Sequence, residues 1–345
     1  VTDAIRKRCE NEVLGYTGKP DSYYNAIINW VKQRYDLVVA KEMINFVPGI
    51  VPGIGMAMNC FTQKGDKVMI QPPVYHPFAW VTTRNERTLV TNPLKWENGM
   101  YRMDLDTFRE QIKGCKLFIL CNPHNPGGVV WTEAELRAIA DICYDEKVLV
   151  FSDEIHADLT LPPHTHRPFA TVSEKARMNS VTFMSPSKAF NMPGLSASHA
   201  LIFNEDLRKR FRIYMDAGEL DMGHVFAFLS VEAAYSHGTE WLDQCLAYIQ
   251  GNIDFVDDFL KNHAPKIKAI RPEASYLVWL DCRELELSQK DLNEFFVDKA
   301  HLALNDGEMF GKEGIGFMRL NVASPRCIIE KAMKQLADAY QLYIK

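Results

Sequence analysis

The chain has 345 residues, 47% hydrophobic and 24% charged, enough for a large buried core in two domains or in one domain with an appendage. A net charge of −5 argues against nucleic acid as the main partner, because gripping a phosphate backbone needs basic clusters; the densest here, Arg6-Lys7-Arg8, reads as the solvated face of a short helix. No apolar stretch approaches the roughly 18 residues of a membrane span.

Residues 1–12 read as the end of a helix. Gly15, Gly18 and Pro20 interrupt it, and a second helix is expected from 21 to 35, with Asp21 or Ser22 as its cap and Tyr24, Ile27, Ile28, Val31 and Tyr35 at helical spacing. A Gly- and Pro-rich segment from Phe46 to Gly55 then leads into an apolar helix over 56–61. From there short apolar runs at 67–70, 116–121, 148–151 and 181–184 alternate with helical segments. Thr132, with Glu135 three residues on, is a capping box at the start of one of them. Apolar strands alternating with helices predict an α/β fold around a mostly parallel sheet covered on both faces. Beyond about residue 215 the pattern changes: a long helical stretch to 262, a strand over 276–280, a helix from Ser288, a strand over 317–322 and a last helix after Pro325, as in a smaller α+β domain. The expected division is 1–15 as an N-terminal segment of the small domain, 16–240 as the large domain and 241–345 as the rest of the small one.

The eight cysteines, at 9, 60, 115, 121, 143, 245, 282 and 327, contain no Cys-x-x-Cys and read as reduced thiols, mostly buried, in a cytoplasmic protein. The first residue is Val1, which leaves room for a preceding segment; nothing in the visible chain reads as a targeting signal.

In an open α/β sheet, ligands bind beyond the carboxyl ends of the strands, so the residues after each apolar run carry the chemistry. They are Asn122-Pro123-His124-Asn125-Pro126, Ser152-Asp153-Glu154-Ile155-His156 and Ser185-Pro186-Ser187-Lys188. An amide, a carboxylate and an amine thus meet at one edge, as pyridoxal phosphate requires: an amine for a Schiff base (Lys188), a carboxylate for the pyridine nitrogen (Asp153) and a donor for the phenolic oxygen (Asn125). Ser185, Ser187 and the backbone of the Gly49–Gly55 loop at a helix N-terminus suit a phosphate, and Tyr75 can stack on the ring. Each residue also has an ordinary reading: Lys188 as a surface lysine, Asp153 as a helix cap, Asn125 as a turn residue before proline. Gly53-x-Gly55 lacks the third glycine of a dinucleotide fingerprint. Co-occurrence in this order favours the cofactor.

The motifs Gly15-Tyr16-Thr17, Gln71-Pro72-Pro73-Val74-Tyr75, Asn122-Pro123-His124-Asn125-Pro126, Ser152-Asp153-Glu154-Ile155-His156 with Asp158, Ser185-Pro186-Ser187-Lys188-Ala189-Phe190-Asn191 and Phe317-Met318-Arg319-Leu320-Asn321 resemble those of the fold-type I pyridoxal-phosphate enzymes, the aminotransferase class I/II superfamily. Within it they resemble the MalY/PatB group of cystathionine β-lyase-like carbon–sulfur lyases. The resemblance implies a transferase-like fold with a mostly parallel seven-stranded sheet, and roles for each residue. Lys188 would carry the cofactor, Asp153 partner the pyridine nitrogen, Asn125 and His156 lie near the phenolic oxygen, and Tyr75 stack. Ser185, Ser187 and the backbone at Ile50 and Val51 would hold phosphate. Arg319 would grip the substrate carboxylate, with Tyr75 and Asn125 beside it. Tyr16 would reach the neighbouring subunit's site in a homodimer and share in catalysis. Ser196 stands where many aminotransferases have a phosphate-binding arginine, Pro52 removes one backbone donor, and the family's N-terminal arm has no counterpart in these residues. The implied reaction is β-elimination from an S-substituted L-cysteine. Transamination and an added transcription-regulatory role are the alternatives. A metal cluster at His156, Asp158, His164 and His166 matches no ligand spacing, and the last two histidines read as polar loop residues near the site mouth.

Overall fold

The computed structural model describes residues 1–343. A seven-stranded sheet forms its centre: β1 (Ile44–Val47), β2 (Lys67–Ile70), β3 (Thr88–Thr91), β6 (Cys115–Cys121), β7 (Leu149–Asp153), β8 (Ser180–Met184) and β9 (Ser198–Leu201), in the order β1-β9-β8-β7-β6-β2-β3. Only β9 runs against the rest. β4 (Lys95–Glu97) and β5 (Met100–Arg102) form a separate hairpin. Helices cover both faces, which is why β6, β7 and β8 are almost continuously buried and read as unbroken apolar runs. A second, antiparallel sheet follows, β10 (Lys268–Ile270), β11 (Leu277–Asp281), β13 (Phe317–Asn321) and β12 (Asn305–Asp306), in that order. It packs its own core with the helices Thr239–His263 and Arg326–Tyr343.

Several boundaries differ from expectation. In the helix Asp21–Tyr35 neither Asp21 nor Ser22 caps: Pro20 holds the N-cap, Asp21 pairs with Lys41 at 2.5 Å and Ser22 donates to Glu232. Its buried stripe is Tyr23, Ala26, Ile27, Trp30 and Val31, turned slightly from the one read in the sequence. The helix expected at 56 begins at Ile50. Gly49, with φ 149°, turns the chain into it, and Pro52 occupies a first-turn position where no intrahelical N–H is required. The helical stretch expected from about 215 to 262 is two helices, Val225–His237 and Thr239–His263. The first starts where the His224 ring accepts from the Ala227 N–H, a cap that hydropathy does not report. The capping box at Thr132 and Glu135 forms as read.

Two cross-connections tie the sheets. The Gly128 carbonyl accepts from the N–H groups of Glu273 and Ala274, and Leu159 accepts from Ser275. Gly128 has φ +69° and lies against Pro272, where a Cβ would come within 2.5 Å of the ring.

Candidate active site

Because β1, β2, β6, β7 and β8 run in one direction, their carboxyl ends share an edge, and the antiparallel β9 begins there. This edge and one face of the second sheet enclose a cavity of about 440 Å³. Tyr75, Asn125, Asp153, His156, Ser187, Lys188 and Arg319 line it, with Ile50 and Val51 at the start of their helix.

Asp153 ends β7. Its carboxylate is buried and, among the described residues, accepts only the Ile155 N–H, at 3.1 Å. Burial, with a contribution from neighbouring Glu154, pushes its pKa up to about 7, against the lowering by that N–H and by Lys188. Such a carboxyl suits a cationic partner. Burial and then the Arg319 charge hold Lys188 below the usual lysine range, with Asp153 opposing. A larger fraction of it is therefore free amine. Burial, Lys188 and Arg319 together push His156 down to about 3, so it is a neutral ring, and its Nδ1 has no partner among the described residues.

Arg319 stands mid-strand in β13 and crosses to the other sheet. One guanidinium nitrogen donates to Asn125 Oδ1 and the other to Asn305 Oδ1, both at 2.8 Å, while the group lies over Phe310 at 4.6 Å. A guanidinium only donates, so Asn125 must present its oxygen to Arg319, leaving its NH₂ as the donor available to a ligand. Burial lowers the Arg319 pKa to about 10, yet the group stays charged.

For a phosphate, the first-turn N–H groups of the helix Ile50–Phe61 have no partner inside the helix, and the positive end of its dipole faces the cavity wall. Ser187 and Ser196 join them; Ser196 adopts φ 48° and ψ 47°. Ser185 does not reach the lining. Its hydroxyl donates to the Ala197 carbonyl at 2.8 Å, lies 2.9 Å from the Ser187 hydroxyl and accepts the Ser187 N–H. Tyr16 is 98% exposed and far from filling any part of this chain's cavity. These residues fit pyridoxal phosphate: an amine of lowered pKa, a buried carboxyl, an amide donor, an aromatic face and a helix N-terminus.

Sequence reasoning missed His76, Cys121, Ile155 and Tyr276 in the lining, and Asn305 behind Arg319. His76 and Ile155 adjoin residues that were singled out. Asn305 carried no signal. His166 was misread: it is buried and pairs with the Glu154 carboxylate at 2.8 Å, which also accepts the Phe169 N–H and the Ser152 hydroxyl. Asp158 accepts from Trp30 and Tyr35. These acids and His166 therefore brace the loop after β7. His164 faces Glu273 at 3.7 Å.

Such an edge, with its lysine, buried aspartate and asparagine, defines the class, and a family model agrees: residues 4–336 match aminotransferase class I and II, and the chain belongs to that family. Its relatives include cystathionine β-lyase PatB of Bacillus subtilis, 37% identical over 98% of this chain and 88% of that protein. Protein MalY of Escherichia coli is 29% identical over 98% and 87%. Among solved structures, cystalysin from Treponema denticola, which contains a pyridoxal 5'-phosphate cofactor, superposes with a TM-score of 0.96 at 34% identity. The match covers all of this chain and 88% of that one. The PLP-bound C–S lyase from Staphylococcus hominis gives 0.91 at 33%, over 98% and 89%.

Proposed function

We propose that this chain is a pyridoxal-phosphate-dependent carbon–sulfur β-lyase. It takes an S-substituted L-cysteine and water to a thiol, pyruvate and ammonia. The observation that carries this reading is the single cavity lined by Lys188, Asp153, Asn125, Tyr75 and Arg319, in a chain similar over almost its whole length to cystathionine β-lyases and C–S lyases.

The geometry of the cavity supports a role for each residue. When bound, pyridoxal phosphate supplies a sink for the electron pair left at Cα. Asp153 would partner the pyridine nitrogen and ionise in answer to its positive charge. Asn125 would donate its NH₂ to the phenolic oxygen, with neutral His156 beside it. Tyr75 would cover the ring face, and Ser187, Ser196 and the Ile50 and Val51 N–H groups would hold the phosphate. Arg319 orients the substrate by its carboxylate with a forked grip. The Lys188 amine would remove the Cα proton, and its lowered pKa leaves more of it in the free-amine form that can accept one. The sulfur then leaves with the Cβ–S electron pair and takes up a proton.

A homodimer belongs to the proposal, supported by the apolar run Val13, Leu14 and Tyr16, exposed by 71%, 63% and 98%. Tyr16 would complete the neighbouring copy's phosphate site. A cytoplasmic location is supported by eight unpaired cysteines. The domain division at 240 falls at the start of the helix Thr239–His263, whose Leu242 packs in the first core and Ile249 in the second.

The test is pyruvate release from L-cystathionine and S-alkyl-L-cysteines by the cofactor-loaded protein without added keto acid. Sustained release of pyruvate matched by thiol supports the lyase. Turnover only when a keto acid is supplied would replace it with transamination.

A further inference from the structure

Arg319 forms no ion pair with any carboxylate among the described residues, although it is half-buried. A partly desolvated cation without a counter-charge carries a cost that neutral hydrogen bonds offset only in part. Here two amide oxygens, Asn125 from the large sheet and Asn305 from the small one, and the Phe310 face offset part of it, and the guanidinium Nε has no partner among the described residues. Both amides hold the guanidinium in place without neutralising it.

Asn305 is itself fixed. It lies on the two-residue strand β12, directly opposite Arg319 in the pairing with β13. The next residue, Asp306, points the other way, as alternation in a strand requires. Its carboxylate accepts from Gln289, Asn293 and the Glu308 N–H, at 2.6, 2.5 and 2.8 Å. The strand is thus anchored on one face and presents Asn305 to the arginine on the other.

We infer that Asn305 is a positioning residue for the substrate carboxylate: it orients Arg319 while leaving its charge uncompensated, so that the incoming carboxylate is the counter-ion. The identity of the side chain matters because a carboxylate at the same place would pair with Arg319 and compete with the substrate. This rests on the proposed role of Arg319, and holds whether the chemistry that follows is elimination or transamination.

The experiment compares Asn305→Asp, Asn305→Ala and the parent as cofactor-loaded proteins. L-Alanine, which has the amine and carboxylate but no leaving group, is titrated against the cofactor's visible absorbance. Asn305→Asp should raise the alanine dissociation constant at least about tenfold, and Asn305→Ala only about threefold, the loss of one hydrogen bond. Cofactor affinity and melting temperature should stay at the parent values. With a turned-over S-alkyl-cysteine, KM should rise in the same order and kcat remain within about twofold. Equal alanine binding by Asn305→Asp and parent would overturn the inference, as would a common loss of binding, cofactor affinity and melting temperature in both variants. Failure of pyruvate release with the expected alanine pattern intact would count against the lyase and not against Asn305.

Discussion

The two sheets feed one cavity from different parts of their strands. The seven-stranded sheet contributes from strand ends: Asp153 closes β7, Asn125 follows β6, Lys188 follows β8 and Tyr75 follows β2. The four-stranded sheet contributes its charged group from a strand interior, Arg319 in the middle of β13, with Asn305 of β12 opposite it. Coverage explains the contrast. A parallel sheet with helices on both faces buries small polar side chains within its strands but gives a charged group access to a ligand only at its rim. An antiparallel sheet with one face turned to a cavity can set an arginine mid-strand, where register, and not chain order, selects its partner.

The comparison is sharpened first at the strand ends. Lys188→Ala should lower turnover by at least about 10³-fold, since nothing else in the lining offers an amine to the Cα proton. A variant retaining a tenth of the parent rate would move the chemistry away from this edge.

Next is the mid-strand cation. Arg319→Lys keeps the charge but cannot donate to Asn125 and Asn305 at once while still presenting a fork. KM should rise by about 10²-fold with a smaller change in kcat. An unchanged KM would mean that the small sheet only closes the cavity.

Asp153 tests the cost of placing a carboxylate at a covered rim. Its pKa rises from an ordinary 3.8 to about 7 in the folded protein without cofactor, so the stability it allows is fully present below about pH 4 and is lost as pH rises to about 7. Cofactor-free Asp153→Asn should therefore be the more stable protein at pH 8, by at most about 4 kcal/mol, with the difference shrinking toward pH 4. Melting curves at the two pH values check it. In the cofactor-loaded protein the difference should flatten, because a cationic ring nitrogen favours the ionised carboxyl. A pH-independent difference would show that burial does not control Asp153.

The smallest effect separates two serines two residues apart. Ser187→Ala should weaken cofactor retention about fivefold, one hydrogen bond's worth, with little change in melting temperature. Ser185→Ala should do the reverse and lower stability by about 1 kcal/mol, because its hydroxyl is engaged with Ala197 and Ser187. The opposite pattern would return the phosphate to Ser185.

Much of the site was legible because strand-end chemistry is local. A run such as Val148-Leu149-Val150-Phe151 announces a covered strand, and the polar group after it has one place to go. What escaped was decided by contacts distant in sequence. Arg319 meets Asn125 across 194 positions, and Asn305 enters through a two-residue strand too short to leave a periodic trace. His166 looked like a loop histidine because nothing near it reveals that Glu154, twelve residues earlier, lies buried beneath it.

By itself, the sequence determined the alternation of strands and helices, the mostly parallel sheet, and the lysine, aspartate, asparagine and tyrosine brought to its edge, since hydrophobic periodicity and chain direction are local properties. Only the tertiary structure decided that Ser187 and not Ser185 faces the cavity, that Ile50 opens its helix at the cavity wall, and that two neutral amides hold the arginine. Those outcomes depend on which groups are already satisfied by partners far along the chain, and hydrogen-bond satisfaction is a property of the folded assembly.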